Sequence, residues 1–310
     1  MTPREPRILL LGSAGQVGRE LQARFADFGD LTSADRKSAD LAHPEQLREL
    51  VRHVAPDLIL NAAAYTAVDR AESEPALAMT VNAEAPGVLA EEALRLGALL
   101  VHYSTDYVFD GSKEGPWIET DETNPLSVYG ATKLAGERAI ESSGCSRLIF
   151  RTSWVYGPHG KNFLFTMLRL ARERERLTIV NDQFGAPTTS IKIASATRKI
   201  IEGVMAGRFG AEKNWAGIYH MTCADSTSWF GFAQAIFARA GSLLGGKVPE
   251  LVPIATAEYP TPARRPHNSV LSNAKLVERF GVSLAPWPIA LDAVMAVLEP
   301  SATGSKRVGV

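Results

Sequence analysis

Arg7-Ile8-Leu9-Leu10-Leu11-Gly12-Ser13-Ala14-Gly15-Gln16-Val17-Gly18 is the stretch that decides the fold. After Arg7 it is an unbroken apolar run, the pattern of a parallel strand buried on both faces. The run breaks into glycines spaced GxxGxxG. Val17, Leu21 and Phe25 then recur at every fourth position, which is helical spacing. Strand, glycine-rich turn and helix, in that order, let backbone N–H groups approach a pyrophosphate at a helix N-terminus. Gly12 would allow the sharp turn, Gly15 the close approach of a ligand, and Gly18 tight packing of helix on strand. The competing reading is an ordinary strand–helix turn, which also favours glycine.

Working outward, a second strand ends at Leu31-Thr32-Ser33-Ala34-Asp35-Arg36. An acid about 20 residues past the glycine turn is placed to hold adenosine ribose hydroxyls. Asp35 favours NAD, whereas Arg36 would meet the 2′-phosphate of NADP, so NADH and NADPH both stay open. Ala55 to Asn61 is another buried strand, running into Ala62-Ala63-Ala64-Tyr65, where small side chains permit approach of a flat ligand. Val81-Asn82-Ala83-Glu84-Ala85 opens a long helix to about Leu96, and Ala98 to Thr105 forms a further strand. Strands alternating with helices through about Val155 predict an α/β fold, a Rossmann-type doubly wound parallel sheet. The remainder is richer in turns, such as Asp182-Gln183-Phe184-Gly185-Ala186-Pro187 and Tyr259-Pro260-Thr261-Pro262. It reads as a smaller substrate-binding lobe over the C-terminal edge of the sheet. The expected organisation is a dinucleotide-binding domain over residues 1–155, to which a late strand near 217–222 returns. A mainly substrate-binding lobe follows over 156–300, then a flexible tail over 301–310.

Tyr129 and Lys133, in Tyr129-Gly130-Ala131-Thr132-Lys133, stand one helical turn apart on one face. A positive charge beside a phenol favours its ionised form, and the pair predicts a phenol of lowered pKa. Such a group gives a proton to a carbonyl oxygen or takes one from an alcohol. Thr105, at the end of its strand, supplies a hydroxyl, and Asp106 beside it reads as a substrate contact rather than a proton donor. Trp154 follows the strand Leu148-Ile149-Phe150-Arg151 and would pack on a ring. Asn162 offers hydrogen-bonding groups. Arg264 and Arg265, before Pro266, would neutralise a diphosphate, since arginine meets phosphate as a planar fork. His102 and His220 lie within strands and read as satisfied core residues.

Composition excludes several classes. The chain has 310 residues, 45% apolar and 22% charged, enough for a sizeable core in one or two interleaved units. A net charge of −1 gives no electrostatic case for nucleic acid. Cys145 and Cys223 have neither metal-like spacing nor the makings of a disulfide framework, which suits a reducing cytoplasm. The N-terminus lacks the apolar stretch of a signal peptide, and no apolar run approaches the ~20 residues of a membrane helix.

Taken together, Gly12, Gly15, Gly18, Thr105, Tyr129 and Lys133 resemble the extended short-chain dehydrogenase/reductase superfamily. The resemblance narrows to its dTDP-4-dehydrorhamnose reductase family in five blocks. These are Asn61 to Glu72, Ser104 to Phe109, Phe150 to Tyr156, Asn181 to Thr188 and Ala263 to Ser269, in family order. The resemblance implies reduction of the C4 ketone of dTDP-4-dehydro-6-deoxy-L-mannose to dTDP-L-rhamnose by NADPH or NADH. It implies Tyr129 as catalytic acid, Lys133 as ribose contact and support for Tyr129, and Thr105 as hydrogen-bond partner near the reacting oxygen. It also implies cofactor contacts at Gly12, Ser13, Ala14, Gly15, Gln16, Val17, Gly18, Asp35, Asp40, Leu41, Ala62, Ala63, Ala64, Tyr103, Tyr129 and Lys133. Substrate contacts would be Thr105, Asp106, Tyr107, Tyr129, Trp154 and Arg265. Some members carry magnesium bridging two subunits of a homodimer through carboxylates. Here Thr188-Thr189-Ser190-Ile191-Lys192-Ile193 has no acid, and no cluster with metal-ligand spacing occurs elsewhere in the sequence. Related folds act as sugar-nucleotide 4,6-dehydratases or 4-epimerases. A dehydratase would place an acid pair after the strand-end threonine, whereas Tyr107 follows Thr105-Asp106 here. A non-catalytic regulatory subunit on the same fold can lose the Tyr or Lys, and this chain keeps both.

Overall fold

The computed structural model describes residues 4–299; the expected tail at 301–310 lies outside the described residues. Six strands make one parallel sheet: β1 (Arg7–Leu11), β2 (Asp30–Ala34), β3 (Leu58–Asn61), β4 (Leu99–Thr105), β5 (Arg147–Thr152) and, from much later in the chain, a strand over Gly217–His220. Between the last two, Arg176–Val180 forms β6, which makes Gly217–His220 β7; Glu250–Ile254 is β8. The sheet runs β7-β5-β4-β3-β1-β2, and β6 pairs with β8 in a separate parallel ribbon. Strand order reverses between β1 and β3. At such a switch point a crevice opens beyond the strands' carboxyl ends, and open α/β sheets bind ligands there.

Alternation along each strand assigns the two faces. Ile8 and Leu10 of β1, Leu58 and Leu60 of β3, and Leu99 and Val101 of β4 point to one side. They pack there with α1 (Gln16–Phe25), reached through Leu21 and Phe25, and with later helices including Ser190–Met205. Leu9, Leu11, Ile59 and Leu100 point to the other side. That side is covered by α2 (Pro44–Val54), α3 (Ala85–Leu96) and α4 (Val128–Ser143). Because both faces are covered, the strands read as continuous apolar runs.

The helix expected from Val81 is a composite. Pro75–Met79 is α-helical, Thr80–Glu84 is π-helical, and α3 follows without a break. Asn82 lies in the widened turn. Its side chain accepts from Tyr65 N at 2.8 Å and donates to Tyr65 O at 3.1 Å and to Thr132 Oγ1 at 3.2 Å. It thereby clamps the loop after β3 to α4. π-Turns of this kind concentrate at functional sites.

A buried ion pair and a buried histidine lie beside β5. Arg151 and Glu137 form a fully buried ion pair, with Nη2–Oε2 at 2.6 Å. His220, buried on β7, lies edge-on to Phe109. Burial, reinforced by the Arg151 charge, pushes the His220 imidazole down to about 3. Between there and the ordinary value of 6.5 the unfolded chain binds a proton that the native chain refuses. Stability contributed by His220 is therefore full above pH 6.5 and is lost on acidification, at about 1.4 kcal/mol per pH unit. Denaturant unfolding measured from pH 7 to pH 4 should show this slope. His102, likewise lowered by burial, adds to the slope, and Asp106, raised by burial, opposes it. His220→Asn should therefore reduce the slope by about 1.4 kcal/mol per pH unit, and an unchanged slope in the variant would remove His220 from the account.

Candidate active site

The crevice is a cavity of about 710 Å³. Its floor is the glycine turn. Gly12 adopts a left-handed φ of +76°, and a Cβ there would stand 2.7 Å from Ala63 N, so the ends of β1 and β3 approach only because the side chain is missing. Gly15 N donates to Gly12 O at 2.9 Å, and Gly15 starts α1 with no side-chain cap and no acid in the first turn. The first amides of α1 are thus left for an anion. A Cβ on Gly18 would collide with the Gly12 carbonyl, so Gly18 serves packing and does not line the cavity. Ser13 does not line it either; its N–H donates to Ala34 O and ties the turn to β2. Gly12, Ala14, Gly15, Gln16 and Val17 do line it.

At the β2 end the structure separates the two residues that sequence left in balance. The Asp35 carboxylate is consumed by its own turn, accepting from Lys37 N at 2.9 Å, Ser38 N at 3.1 Å and Ser38 Oγ at 3.1 Å, and it does not line the cavity. Those same donors hold its pKa below the usual carboxylate value. Arg36 does line the cavity, with Ala39, Asp40 and Leu41, and its Nε lies 3.4 Å from Asp40 Oδ2. Ala62, Ala63, Ala64 and Tyr65 form the middle of the wall.

The far end gathers Tyr103, Thr105, Asp106, Tyr107, Tyr129, Lys133 and Trp154. Helix α4 is aimed there by its first turn. Ser127 Oγ accepts from Gly130 N at 3.2 Å, Val128 N donates to Glu72 Oε1 at 2.9 Å, and any Cβ on Gly130 would strike the Tyr107 carbonyl. Tyr129 meets Tyr107 edge-to-face, centroids 6.0 Å apart. The expected acidic phenol is corrected here. Burial drives Tyr129 up to about 12. The Lys133 amine turns the other way, donating to Tyr103 O at 2.6 Å and meeting His102 Nε2 at 3.0 Å. Burial lowers Lys133 to about 8, against the opposing charge of Glu137. Desolvation therefore outweighs the attraction that i,i+4 spacing suggested. Thr105 Oγ1 donates to Asp106 Oδ1 at 2.9 Å and accepts from Tyr107 N at 3.1 Å. Burial raises Asp106 to about 7, and its Oδ2 has no partner.

Trp154 holds a left-handed φ of +47°, a strained position for a bulky residue. It stacks on Trp229, ring centroids 3.5 Å apart and planes within 5°. Trp229 also lines a second cavity of about 350 Å³ with Phe163, Arg174, Gln183, Tyr259, Thr261 and Arg265. Arg265 belongs to this second cavity, its guanidinium 2.8 Å from Asp69 and bonded to Thr261. Arg264 is exposed and lines neither. Asn162 is spent on structure. Its Oδ1 caps the helix Phe163–Glu173 through Phe165 N, and its Nδ2 donates to Gln16 Oε1 at 2.9 Å. Sequence reading missed Trp229 and the contact of His102 with Lys133, for which no local pattern gives a signal. Among the described residues, no group of three His, Cys, Asp or Glu is placed to hold a metal ion. Nor is any helix among them long and apolar enough to cross a membrane.

A glycine turn at the switch point of a parallel sheet, facing a threonine, a tyrosine and a lysine across one cavity, defines an NAD(P)H-dependent oxidoreductase of Rossmann fold. The model of the family described as RmlD substrate binding domain matches residues 6–299, and the chain belongs to that family. A dTDP-4-dehydrorhamnose reductase of Burkholderia thailandensis is 52% identical over 288 residues, covering 92% of this chain and 96% of that protein. The Escherichia coli K12 dTDP-4-dehydrorhamnose reductase is 45% identical over 295 residues, covering 93% and 96%. The crystal structure of dTDP-4-dehydrorhamnose reductase from Bacillus anthracis in complex with NADP superposes with a TM-score of 0.86 at 33% identity, covering 94% of this chain and 99% of that one. A Thermus thermophilus UDP-glucose 4-epimerase complex with NAD shares the fold, with a TM-score of 0.74 at 21% identity, covering 96% of this chain and all of that one.

Proposed function

We propose that the chain reduces the C4 ketone of dTDP-4-dehydro-6-deoxy-L-mannose to dTDP-L-rhamnose. The observation that carries this reading is the placement of Thr105, Tyr129 and Lys133 in one cavity with the glycine turn. The residues present fit a nicotinamide dinucleotide: Gly12 leaves a cradle that a Cβ would fill, and the uncapped start of α1 offers amides to its phosphates. When bound, the dihydronicotinamide supplies the hydride. The chain supplies proton, orientation and dryness. Tyr129, protonated at neutral pH, gives its phenolic proton to the ketone oxygen as negative charge builds there. Thr105 has one proton, and it is directed at Asp106. Protonated Asp106 would donate to Thr105 instead and free that proton for the substrate oxygen. The Trp154–Trp229 stack would form an apolar wall for the deoxysugar, and Arg265, which lines the second cavity, would meet the nucleoside diphosphate. Residues 156–300 then act mainly as the substrate lobe. A reducing cytoplasm suits Cys145 and Cys223, both buried and free.

The test is stoichiometry. Cofactor absorbance should fall in step with ketone consumed, which separates a reductase from a dehydratase or epimerase. Nucleotide binding without consumption would favour the regulatory-subunit reading. Committing the Asp35 carboxylate to its own turn while Arg36 lines the cavity favours NADPH. Arg36→Ala is expected to raise the KM for NADPH about tenfold, the loss of one charge-assisted contact, and to leave the NADH value nearly unchanged. Equal effects on both cofactors would count against the assignment.

A further inference from the structure

Behind α4 a line of contacts runs off the cavity wall. His102 and Asn61 are buried, register partners across β4 and β3, and neither lines the cavity. Ala63 N donates to Asn61 Oδ1 at 3.2 Å. Asn61 Nδ2 lies 3.0 Å from His102 Nδ1, and His102 Nε2 lies 3.0 Å from Lys133 Nζ. Lys133 Nζ in turn donates to Tyr103 O.

Proton accounting along this line has a single closed solution. Ala63 fixes the amide oxygen, so Asn61 presents its NH₂ to the imidazole. Nδ1 must then accept with its lone pair, and the one proton of the neutral ring sits on Nε2. That N–H points at Lys133 Nζ. An ammonium has three donors and no lone pair, whereas an amine has one lone pair to offer. Every donor meets an acceptor only when Lys133 is the amine. Protonating Lys133 sets two N–H groups against each other unless His102 changes tautomer. The other tautomer sets Nδ1–H against the Asn61 NH₂ unless that amide turns over and releases Ala63, a cavity-lining residue.

We infer that His102 is a positioning residue for Lys133: held by Asn61 as the Nε2–H tautomer, it lowers the proton affinity of the lysine so that Lys133 exchanges its proton near working pH. The effect on turnover rests on the reduction proposed above; the tautomer does not. Tyr129 and Glu137 flank Lys133 on α4, Asp106 follows β4, and Arg151 of β5 neutralises Glu137. Burial lowers both Lys133 and His102, so a neutral ring beside a readily deprotonated lysine agrees with the geometry. The step served is the return of a proton to Tyr129. A Lys133 Nζ–H bond breaks, and water in the cavity takes that proton and passes one of its own to the phenolate, so that the phenolic O–H forms again. The amine left behind accepts from His102, and solvent restores its proton.

Two measurements test this on the full chain. Nitrogen-15 NMR of the histidines at pH 7, without substrate, should give His102 an unprotonated Nδ1 and a protonated Nε2. The opposite tautomer or an imidazolium would overturn the inference whatever the reaction proves to be. The pH profile of kcat should lose activity on the alkaline side near pH 8, where Lys133 gives up its proton. His102→Leu should move that limb up by about one pH unit, so one unit above the original midpoint the variant keeps about a fivefold larger share of its maximum. His102→Gln, whose amide NH₂ stands in for Nε2–H, should restore the original limb. A limb unmoved in His102→Leu would overturn the inference, and should that variant fail to fold, the tautomer of the unaltered chain still decides.

Discussion

Tyr129→Phe is expected to lower kcat for ketone reduction about 10²–10⁴-fold, the usual cost of deleting a positioned general acid. Cofactor affinity should hardly change. The variant keeps the ring, its edge-on contact with Tyr107, and the cap that Ser127 places on α4. Only the hydroxyl is removed, and with it the proton. Burial holds that phenol near 12, so in wild type it is fully protonated at neutral pH and acts as donor without prior titration. Stopped-flow cofactor binding together with steady-state turnover separates the two effects. Turnover within tenfold of wild type would take Tyr129 out of the chemistry.

Arg151→Met is expected to cost about 3–5 kcal/mol of stability, because it strands the Glu137 carboxylate in the interior. Glu137 accepts from Arg151 at 3.0 and 2.6 Å, and both side chains are almost wholly buried. The guanidinium also lies over the Phe109 ring at 5.2 Å. Replacing both partners, as Arg151→Met with Glu137→Leu, should recover most of the loss, since the penalty comes from the unpaired charge rather than from the missing pair. Denaturant unfolding of the single and double variants gives the comparison. A single variant within 1 kcal/mol of wild type would mean that water reaches Glu137.

What the sequence revealed was local. Strand β1, the glycine turn and α1 are contiguous, and their roles follow from spacing and from the missing Cβ atoms of Gly12 and Gly18. Thr105 at a strand end and Tyr129 in a first helical turn were legible for the same reason. Asp35 and Asn162, which the structure commits to local hydrogen bonds, carry signals of this in the sequence. Ser38 three residues after Asp35 marks the turn that takes up its carboxylate, and Asn162 just before an apolar helical run marks a cap. The direction of the Lys133 amine was not legible, because His102 and the Tyr103 carbonyl that draw it belong to another strand. The Trp154–Trp229 stack was hidden likewise, being long-range in sequence and dependent on a left-handed residue that no pattern marks.

The last strand of the sheet has a bearing on how the chain is made. β7 covers the outer edge of β5, yet two long helices, Phe163–Glu173 and Ser190–Met205, come before it in the chain. On the ribosome, β1 to β5 emerge first and wait with that edge bare. An uncovered edge is a template for pairing with a stranger. Truncation before residue 217 should therefore yield aggregates rather than a separable nucleotide-binding half.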